Sequence, residues 1–212
     1  MVFGNLSTGY WLGAAAATGL HWVELGRTTL SGSADLITVS SLAAKPYLMV
    51  LSHVRATGGN VEIRPRLNGD SGSNYAGRRS YNGGANNSST SQTYLDTSEQ
   101  YDENAFQVSF IKNVVDQDKL VSFNTCQTQT LGAGTCANSM DGIWKWDGNA
   151  LINSYLTTNP QAGSYNTGSE IVVLGYDPSD TEGTSAWEEL GSGTSDGSSQ
   201  TFDTGTFTSK KY

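Results

Sequence analysis

Few residues of this 212-residue chain have the chemistry that catalysis needs. Histidine occurs only at His21 and His53, so a Ser-His-Asp triad would have to recruit one of these two. No GxSxG, HExxH, GxxxxGK(S/T) or GxGxxG motif occurs in a context that would make it functional. We therefore predict that the chain is not an enzyme and uses no cofactor.

Paired carboxylates are the other route to catalysis, because two acidic side chains can hydrolyse a glycosidic bond on a β-sandwich scaffold. The candidates are Glu24, Asp141, Asp147, Glu188 and Glu189. Glu24 and Glu189, however, occupy equivalent positions of an internal repeat. A cross-strand or capping contact explains such a repeated residue better than half of a catalytic pair, so glycan hydrolysis stays an alternative.

An acidic cluster, Asp177, Asp180 and Glu182, has a spacing that oxygen-ligand Ca²⁺ sites use. The cluster lacks the longer DxDxDG pattern of a dedicated calcium loop, and a solvated acidic linker accounts for it equally well. We predict no metal site and keep these three residues only as a Ca²⁺ candidate.

Residues 68–92 contain many Gly, Ser and Asn residues and predict one long loop. Loops of this length usually carry function or are disordered. Tyr75, Arg78, Arg79 and Tyr81 combine aromatic faces with guanidinium groups, which suit sugar rings, acidic saccharides or a protein partner. We predict that these four residues form a ligand or partner loop, the alternative being a solvated loop tip.

The two cysteines, Cys126 and Cys136, bracket the turn-rich segment TCQTQTLGAGTC. A disulfide across a hairpin and two free thiols on adjacent strands are both compatible with this spacing.

Alternation of apolar and polar residues is the main secondary-structure signal, and it predicts strands. Residues 46–56 are apolar on both faces, which is typical of a strand buried on both sides. Residues 60–67 alternate, and Pro65 within them indicates a sheet edge.

Residues 105–114 form another predicted strand, in which we expect Phe106, Val108 and Phe110 to point into the core. Short strands of this kind, separated by Gly, Asn, Asp and Ser, recur along the chain. They predict an all-β fold, an antiparallel two-sheet sandwich that is jelly-roll-like and carries an extended N-terminal arm.

Residues 22–47 and 187–212 align without a gap, 165 positions apart. Both segments begin W-x-E-L-G and end K-x-Y, which indicates a tandem repeat. The markers of the repeat start are Trp22, Glu24, Trp187 and Glu189.

The repeat predicts three parts: an N-terminal docking arm (1–21), a β-sandwich unit (22–186) and the start of a second, incomplete repeat (187–212). Two strands alone form no core. We therefore expect residues 187–212 to pack against the preceding unit, to pair with a neighbouring subunit, or to continue in a longer native chain.

The arm is apolar and rich in Gly and Ala. If the arm stayed exposed in a monomer, it would present a large apolar patch to solvent, made of Phe3, Tyr10, Trp11 and Leu12. The arm is therefore predicted to be the assembly element.

The composition excludes several partners. With 12 Lys and Arg against 20 Asp and Glu, the net charge is −8, which opposes nucleic-acid binding. No stretch is long and apolar enough to insert into a membrane.

Several motifs together resemble a β-sandwich domain that recurs, sometimes in tandem, in virion structural proteins of tailed bacteriophages, especially marine ones. The resembling segments are WVELGRTTL (22–30), KPYL (45–48), TGGN (57–60), NGDSGSNYA (68–76), NGG (82–84) and TGSEIVVLGYDPSD (167–180). They cover most of the 22–186 unit, and the Cys-containing stretch at 124–140 departs from them.

The resemblance implies a non-enzymatic virion protein on the surface of an extracellular particle. We expect a tail-fibre or adhesin-type component attached through its arm, with other virion proteins and copies of itself as partners and a host-surface glycan as a further candidate ligand. The alternatives are a capsid-decorating or head-fibre protein and a secreted carbohydrate-binding or glycan-hydrolysing module.

Overall fold

The computed structural model describes residues 22–179, and all regular structure within that range is β-strand. The twelve strands are β1 (Val23–Thr29), β2 (Leu36–Val39), β3 (Tyr47–Thr57), β4 (Arg64–Leu67), β5 (Tyr75–Tyr81), β6 (Asn87–Gln92), β7 (Asn104–Lys112), β8 (Lys119–Gln127), β9 (Asn138–Trp146), β10 (Tyr155–Thr158), β11 (Ser164–Tyr165) and β12 (Glu170–Tyr176).

The strands form two antiparallel sheets of unequal size. The larger sheet has the order β1-β12-β3-β7-β8-β9-β5-β6, with β11 also paired to β3, and the smaller sheet has the order β2-β10-β4. One apolar core, with members from both sheets, fills the space between them. The predicted all-β antiparallel sandwich is confirmed, whereas the predicted arm and the 187–212 segment lie outside the described residues.

Two strand predictions are confirmed in detail. Strand β3 is buried on both sides, with Leu48 and Val50 in the main core and Met49 and Leu51 in a second cluster on the opposite face of the sheet. Strand β4, which contains Pro65, is an edge strand of the smaller sheet, as expected for a residue that cannot donate a ladder hydrogen bond.

The predicted orientation of β7 is wrong. Phe106 and Phe110 are 41% and 50% exposed, and Val108 is only partly buried. The alternate side chains of β7, including Gln107 and Ser109, face the core instead.

The polar side chains on the core face of β7 are stabilised by a hydrogen-bond network. The Thr97 hydroxyl donates to Gln107 Oε1 at 3.0 Å, and Gln107 Nε2 donates to Ser109 Oγ at 2.8 Å. In addition, Thr125 Oγ1 on β8 donates to the Thr97 carbonyl at 2.7 Å. Buried polar groups with partners are tolerated in a core, so β7 can turn its aromatic rings outward.

Lys119 is a fully buried lysine at the start of β8. Its Nζ donates to the carbonyls of Val114, Gln117 and Gly148 at 2.8, 2.7 and 2.8 Å, with Asn149 at 3.4 Å. Burial lowers the pKa of this ammonium. Lys119 therefore joins two loops by hydrogen bonds to their backbone oxygens.

Candidate binding face on the larger sheet

The larger sheet has an outer face, which we define as the side turned away from the smaller sheet. Alternate residues of each strand point to this side, as the strict buried-exposed alternation of β8 illustrates. Since register partners on adjacent antiparallel strands share a face, the pairing places outer-face residues in rows that cross the sheet.

Two such rows make up most of the apolar surface. The first row, from β12 to β6, consists of Leu174, Met49, Phe110, Ser122, Ile143, Arg78 and Ser88. The second row, from β12 to β5, consists of Tyr176, Tyr47, Lys112, Leu120, Lys145 and Ala76.

Four aromatic rings cluster at the β12 end of these rows. The ring of Trp22 lies 5.6 Å from that of Tyr176 and 6.3 Å from that of Phe110. The ring of Tyr47 lies 6.1 Å from that of Tyr176. These centroid distances fall within the range of attractive aromatic pairs, so the cluster is a packed edge of the outer face.

An open groove of about 800 Å³ runs along the outer face from this cluster towards β5 and β6. Its walls include Phe110, Leu120 and Ile143, which are 50%, 53% and 62% exposed. These three large apolar side chains lie side by side and half in solvent, and contiguous exposed patches of this kind are typical of interaction surfaces.

The charged side chains that line the groove are cations. Lys145 pairs with Asp118 at 3.0 Å, and this contact raises the pKa of the lysine. Arg78 Nε donates to Ser88 Oγ at 3.2 Å, and Lys112 is the third cation. Among the described lining residues there is neither a carboxylate nor a histidine. The groove therefore offers apolar contact and cationic hydrogen-bond donors.

The prediction of a single loop over residues 68–92 is wrong, because β5 and β6 pair there as a hairpin on the edge of the larger sheet. Tyr75 is 1% exposed and its ring stacks on Trp146 at 6.3 Å. The Tyr75 hydroxyl accepts from the Leu67 amide at 3.0 Å and donates to the Asp70 carbonyl at 3.1 Å. Tyr75 is a core residue that is inaccessible to a ligand.

The other three predicted loop residues also belong to β5, but they point to different sides. Arg79 faces inward and pairs with Asp96 at 2.8 Å and Glu99 at 2.5 Å. Burial raises the pKa of Asp96, and the Arg79 charge opposes that rise. Tyr81 packs partly against the core, whereas Arg78 lies in the groove. Of the predicted set, the structure brings only Arg78 to the candidate site.

The two cysteines are free thiols, as in the second alternative, but only Cys126 lies on a strand. Cys126, on the outer face of β8, and Cys136, in the β8–β9 connection, are both free and exposed.

The remaining acidic candidates of the sequence form local contacts in the described part of the chain. Asp177 accepts hydrogen bonds from the Ser179 amide and hydroxyl, which lower its pKa. Glu24 forms an ion pair with Arg27 on the same strand. Within residues 22–179 there is no group of three or more His, Cys, Asp or Glu residues that could hold a metal ion.

Several predicted residues lie outside the described range and receive no structural account. They are Phe3, Tyr10, Trp11, Leu12, His21, Asp180, Glu182, Trp187, Glu188 and Glu189.

Of the two repeat markers that the structure describes, Trp22 lines the groove and Glu24 does not. Sequence reasoning missed Tyr47, Leu120, Ile143 and Tyr176 as surface residues. The sequence did contain a signal for Ile143 and Tyr176. In GIWKWDG and in VLGY, respectively, they lie on the face of the strand opposite the residues that pack in the core.

Residues 22–179 contain no helix with the length and hydropathy of a membrane span. No family model, no curated protein and no solved structure matches the chain.

Proposed function

We propose that this chain is a non-enzymatic virion structural protein of a tailed phage, a tail-fibre or adhesin-type component that assembles through apolar contacts. The observation that carries the proposal is the apolar groove on the outer face of the larger sheet. The motif resemblance supports the virion part, because those segments cover most of the sandwich.

The exposed apolar side chains favour a contact function on energetic grounds. Burying the remaining half of a large apolar side chain contributes about 1 kcal/mol. Five outer-face residues would thus contribute about 5 kcal/mol before the entropic cost of association. These five are Tyr47, Phe106, Phe110, Leu120 and Ile143, each 41% to 62% exposed.

The lining of the groove supports a non-enzymatic role. Acid-base and nucleophilic catalysis need a carboxylate, histidine or activated nucleophile near the bound group. The described lining instead combines apolar side chains, serine and threonine hydroxyls that have no histidine or carboxylate beside them in the groove, and the cations Arg78, Lys112 and Lys145.

The aromatic cluster favours glycan binding as a second candidate function. Trp22, Tyr47 and Tyr176 present ring faces at one end of an open groove, and aromatic rings with a polar neighbour suit sugar recognition. The lining beyond this cluster is mainly apolar, whereas a sugar needs many hydrogen-bond partners. We therefore rank assembly first and an adhesin-type glycan contact second.

Immunogold microscopy of particles from the phage that encodes the chain tests the virion assignment. Gold at the tail tip or fibres supports the proposal, gold on the capsid surface identifies a decorating or head-fibre protein, and unlabelled particles overturn it.

A matched pair of variants tests the role of the groove in assembly. Ile143→Lys should reduce incorporation into particles at least tenfold, because it places an ammonium in the apolar wall. Leu131→Lys changes an equally exposed apolar residue, 64% against 62%, in the β8–β9 connection and should incorporate normally. Equal incorporation of both variants would remove the groove from the assembly model. A glycan array with a reducing-sugar assay tests the second candidate.

A further inference from the structure

We infer that the groove on the outer face binds an acidic amphipathic helix of a partner protein. The inference names the partner of the site that the proposed function uses for assembly, and it rests on that function. It adds the charge, the shape and the residue spacing that the partner must have.

The basic side chains of the groove indicate the charge of the occupant. Arg78 and Lys112 donate hydrogen bonds to the uncharged side chains of a serine and a glutamine. Lys145 pairs at 3.0 Å with Asp118, which lies outside the lining. The whole chain has a net charge of −8, so the groove is a basic strip on an acidic protein. A partner with carboxylates along its contact edge complements this strip.

The length and openness of the groove indicate a polypeptide rather than a small molecule. The groove reaches from Tyr176 on β12 to Ser88 on β6. Six strand spacings of about 4.8 Å separate these two strands, which gives a length of about 29 Å. Small-molecule sites enclose most of the ligand surface, whereas the walls of this groove are half in solvent. A long partner segment can cover such a surface.

The spacing of the two lysines indicates a helix. Lys112 on β7 and Lys145 on β9 lie in the same row, with Leu120 of β8 between them. Two strand spacings separate the backbones of these lysines by about 9.6 Å. On a helix, residues seven positions apart lie on one side at about 10.5 Å, and the residues three and four positions along lie between them. Same-face residues of an extended segment are about 6.6 Å apart, which matches neither one nor two strand spacings.

The apolar stripe of such a helix finds its contacts in the first row. Phe110 and Ile143 in that row are 50% and 62% exposed. The two rows are about 6.8 Å apart along the strands, and a helix with its side chains is about 10 Å wide, so one helix covers both rows. Arg78, at the β5 end of the first row, would then face a further acidic residue near one end of the helix.

A second copy of this chain, packed groove on groove, is a poorer occupant. Such a pair would bring the three cations of one groove against the three of the other, with no carboxylate from the described lining between them. Like charges across an interface disfavour that pairing. In addition, all regular structure of residues 22–179 is β-strand, so this range offers no helix to a neighbouring copy.

Binding of synthetic peptides to the purified full-length chain tests the inference. The acidic probe is a labelled helical peptide of about 19 residues, which matches the groove length. It carries a leucine stripe flanked by glutamates at seven-residue spacing. Two matched peptides replace every glutamate with glutamine or lysine, and a fourth carries a central proline that breaks the helix.

We expect the acidic helix to bind at least tenfold more tightly than the lysine peptide, a difference of about 1.4 kcal/mol. The glutamine peptide should lie between these two, because it keeps the apolar stripe and loses the charge contacts. The proline peptide should also bind at least about tenfold more weakly than the acidic helix, because its leucines no longer form one stripe.

Charge reversal shows whether the peptide lies in the groove. Arg78→Glu and Lys112→Glu should each weaken binding of the acidic helix about threefold or more and strengthen binding of the lysine peptide. Arg55→Glu is the matched control, because Arg55 is an exposed arginine of the same sheet outside the groove. It changes the net charge equally and should leave both affinities unchanged. Circular dichroism confirms that each variant keeps the sandwich.

Each other outcome overturns the inference. Absence of binding by all four peptides, equal binding of the acidic and lysine peptides, or equal effects of Arg78→Glu and Arg55→Glu would reject an acidic partner in the groove. Binding of the proline peptide as tightly as the acidic helix would reject a helical occupant. Self-association of the free chain in sedimentation, abolished by Ile143→Lys, would make a second copy the occupant.

The peptide measurements use purified protein, so their outcome is separate from that of the particle experiments. Gold-labelled particles without a peptide preference would leave the virion assignment in place and remove the acidic helix. A peptide preference with unlabelled particles would do the opposite.

Discussion

Alkaline pH should unfold this protein, because four tyrosines are buried in its core. Tyr75, Tyr101, Tyr155 and Tyr165 are at most 1% exposed. Burial raises the pKa of each phenol well above its ordinary value of 10.0. Above about pH 10 the unfolded chain releases phenolic protons that the folded chain keeps, so the free energy of unfolding falls as pH rises.

The expected loss is large compared with the stability of a domain. Each buried tyrosine contributes about 1.4 kcal/mol of destabilisation between about pH 9 and 11, and four contribute about 5.6 kcal/mol. Lys119 acts in the opposite direction, since its lowered pKa makes stability rise with pH, by at most about 1.4 kcal/mol per pH unit. One lysine cannot offset four tyrosines. The loss therefore approaches the 5 to 15 kcal/mol that is typical of whole domains.

Urea unfolding followed by circular dichroism at about pH 9, 10 and 11 measures this loss. Tyrosinate absorbance after a pH jump should rise slowly, with unfolding, for the buried set. Tyr101→Phe is the most informative variant, because the Tyr101 hydroxyl has no hydrogen-bond partner among the described residues. It should recover about 1.4 kcal/mol at about pH 11. Tyr47→Phe, at a position that is 43% exposed, is the control and should recover less. A free energy that is unchanged across this range, or equal recovery by both variants, would refute the reasoning.

Three further predictions concern stability and thiol chemistry. Lys119→Met should lower the free energy of unfolding by about 3 kcal/mol, because buried carbonyls lose their donor; a urea midpoint within error of the parent would contradict this. Gly77→Ala should destabilise by about 1 to 3 kcal/mol in thermal melts, since a new Cβ would lie 2.2 Å from an indole carbon of β9. Gly32→Ala, with nothing within 4 Å of its new Cβ, is the control. Cys126 and Cys136 should both react with a thiol reagent in the native, unreduced protein, and reaction only after reduction would show a disulfide instead.

Local sequence pattern was sufficient for strands whose burial or position can be predicted from their own residues. The continuous apolar run at 46–56 predicted a doubly buried strand, and Pro65 predicted an edge, because both signals depend on the chemistry of the residues themselves. The hairpin of β5 and β6 was missed for the opposite reason. Strand β6 reads NSSTSQ, which has low intrinsic strand preference, and it forms because it pairs with β5.

The candidate site was missed because alternation defines two faces without saying which one is buried. In β7 the more apolar set, Phe106, Val108 and Phe110, was expected inside. A one-residue change in the register of a strand exchanges its faces, so long-range pairing makes this choice. The register of β7 with β3 and β8 turns Phe110 outward. The opposite face of β7, which carries Gln107, can be buried in the core because Gln107 is hydrogen-bonded to Thr97.

The sequence alone determined that this protein is an antiparallel β-sandwich, since period-two alternation and turn residues are local properties. It also predicts a division at Trp22, where the repeat pattern begins. Only the tertiary structure decided that Trp22, Tyr47, Phe110 and Ile143 meet on one open face. These residues come from separate parts of the chain, and their contact depends on strand order and register, which arise from pairing between distant segments.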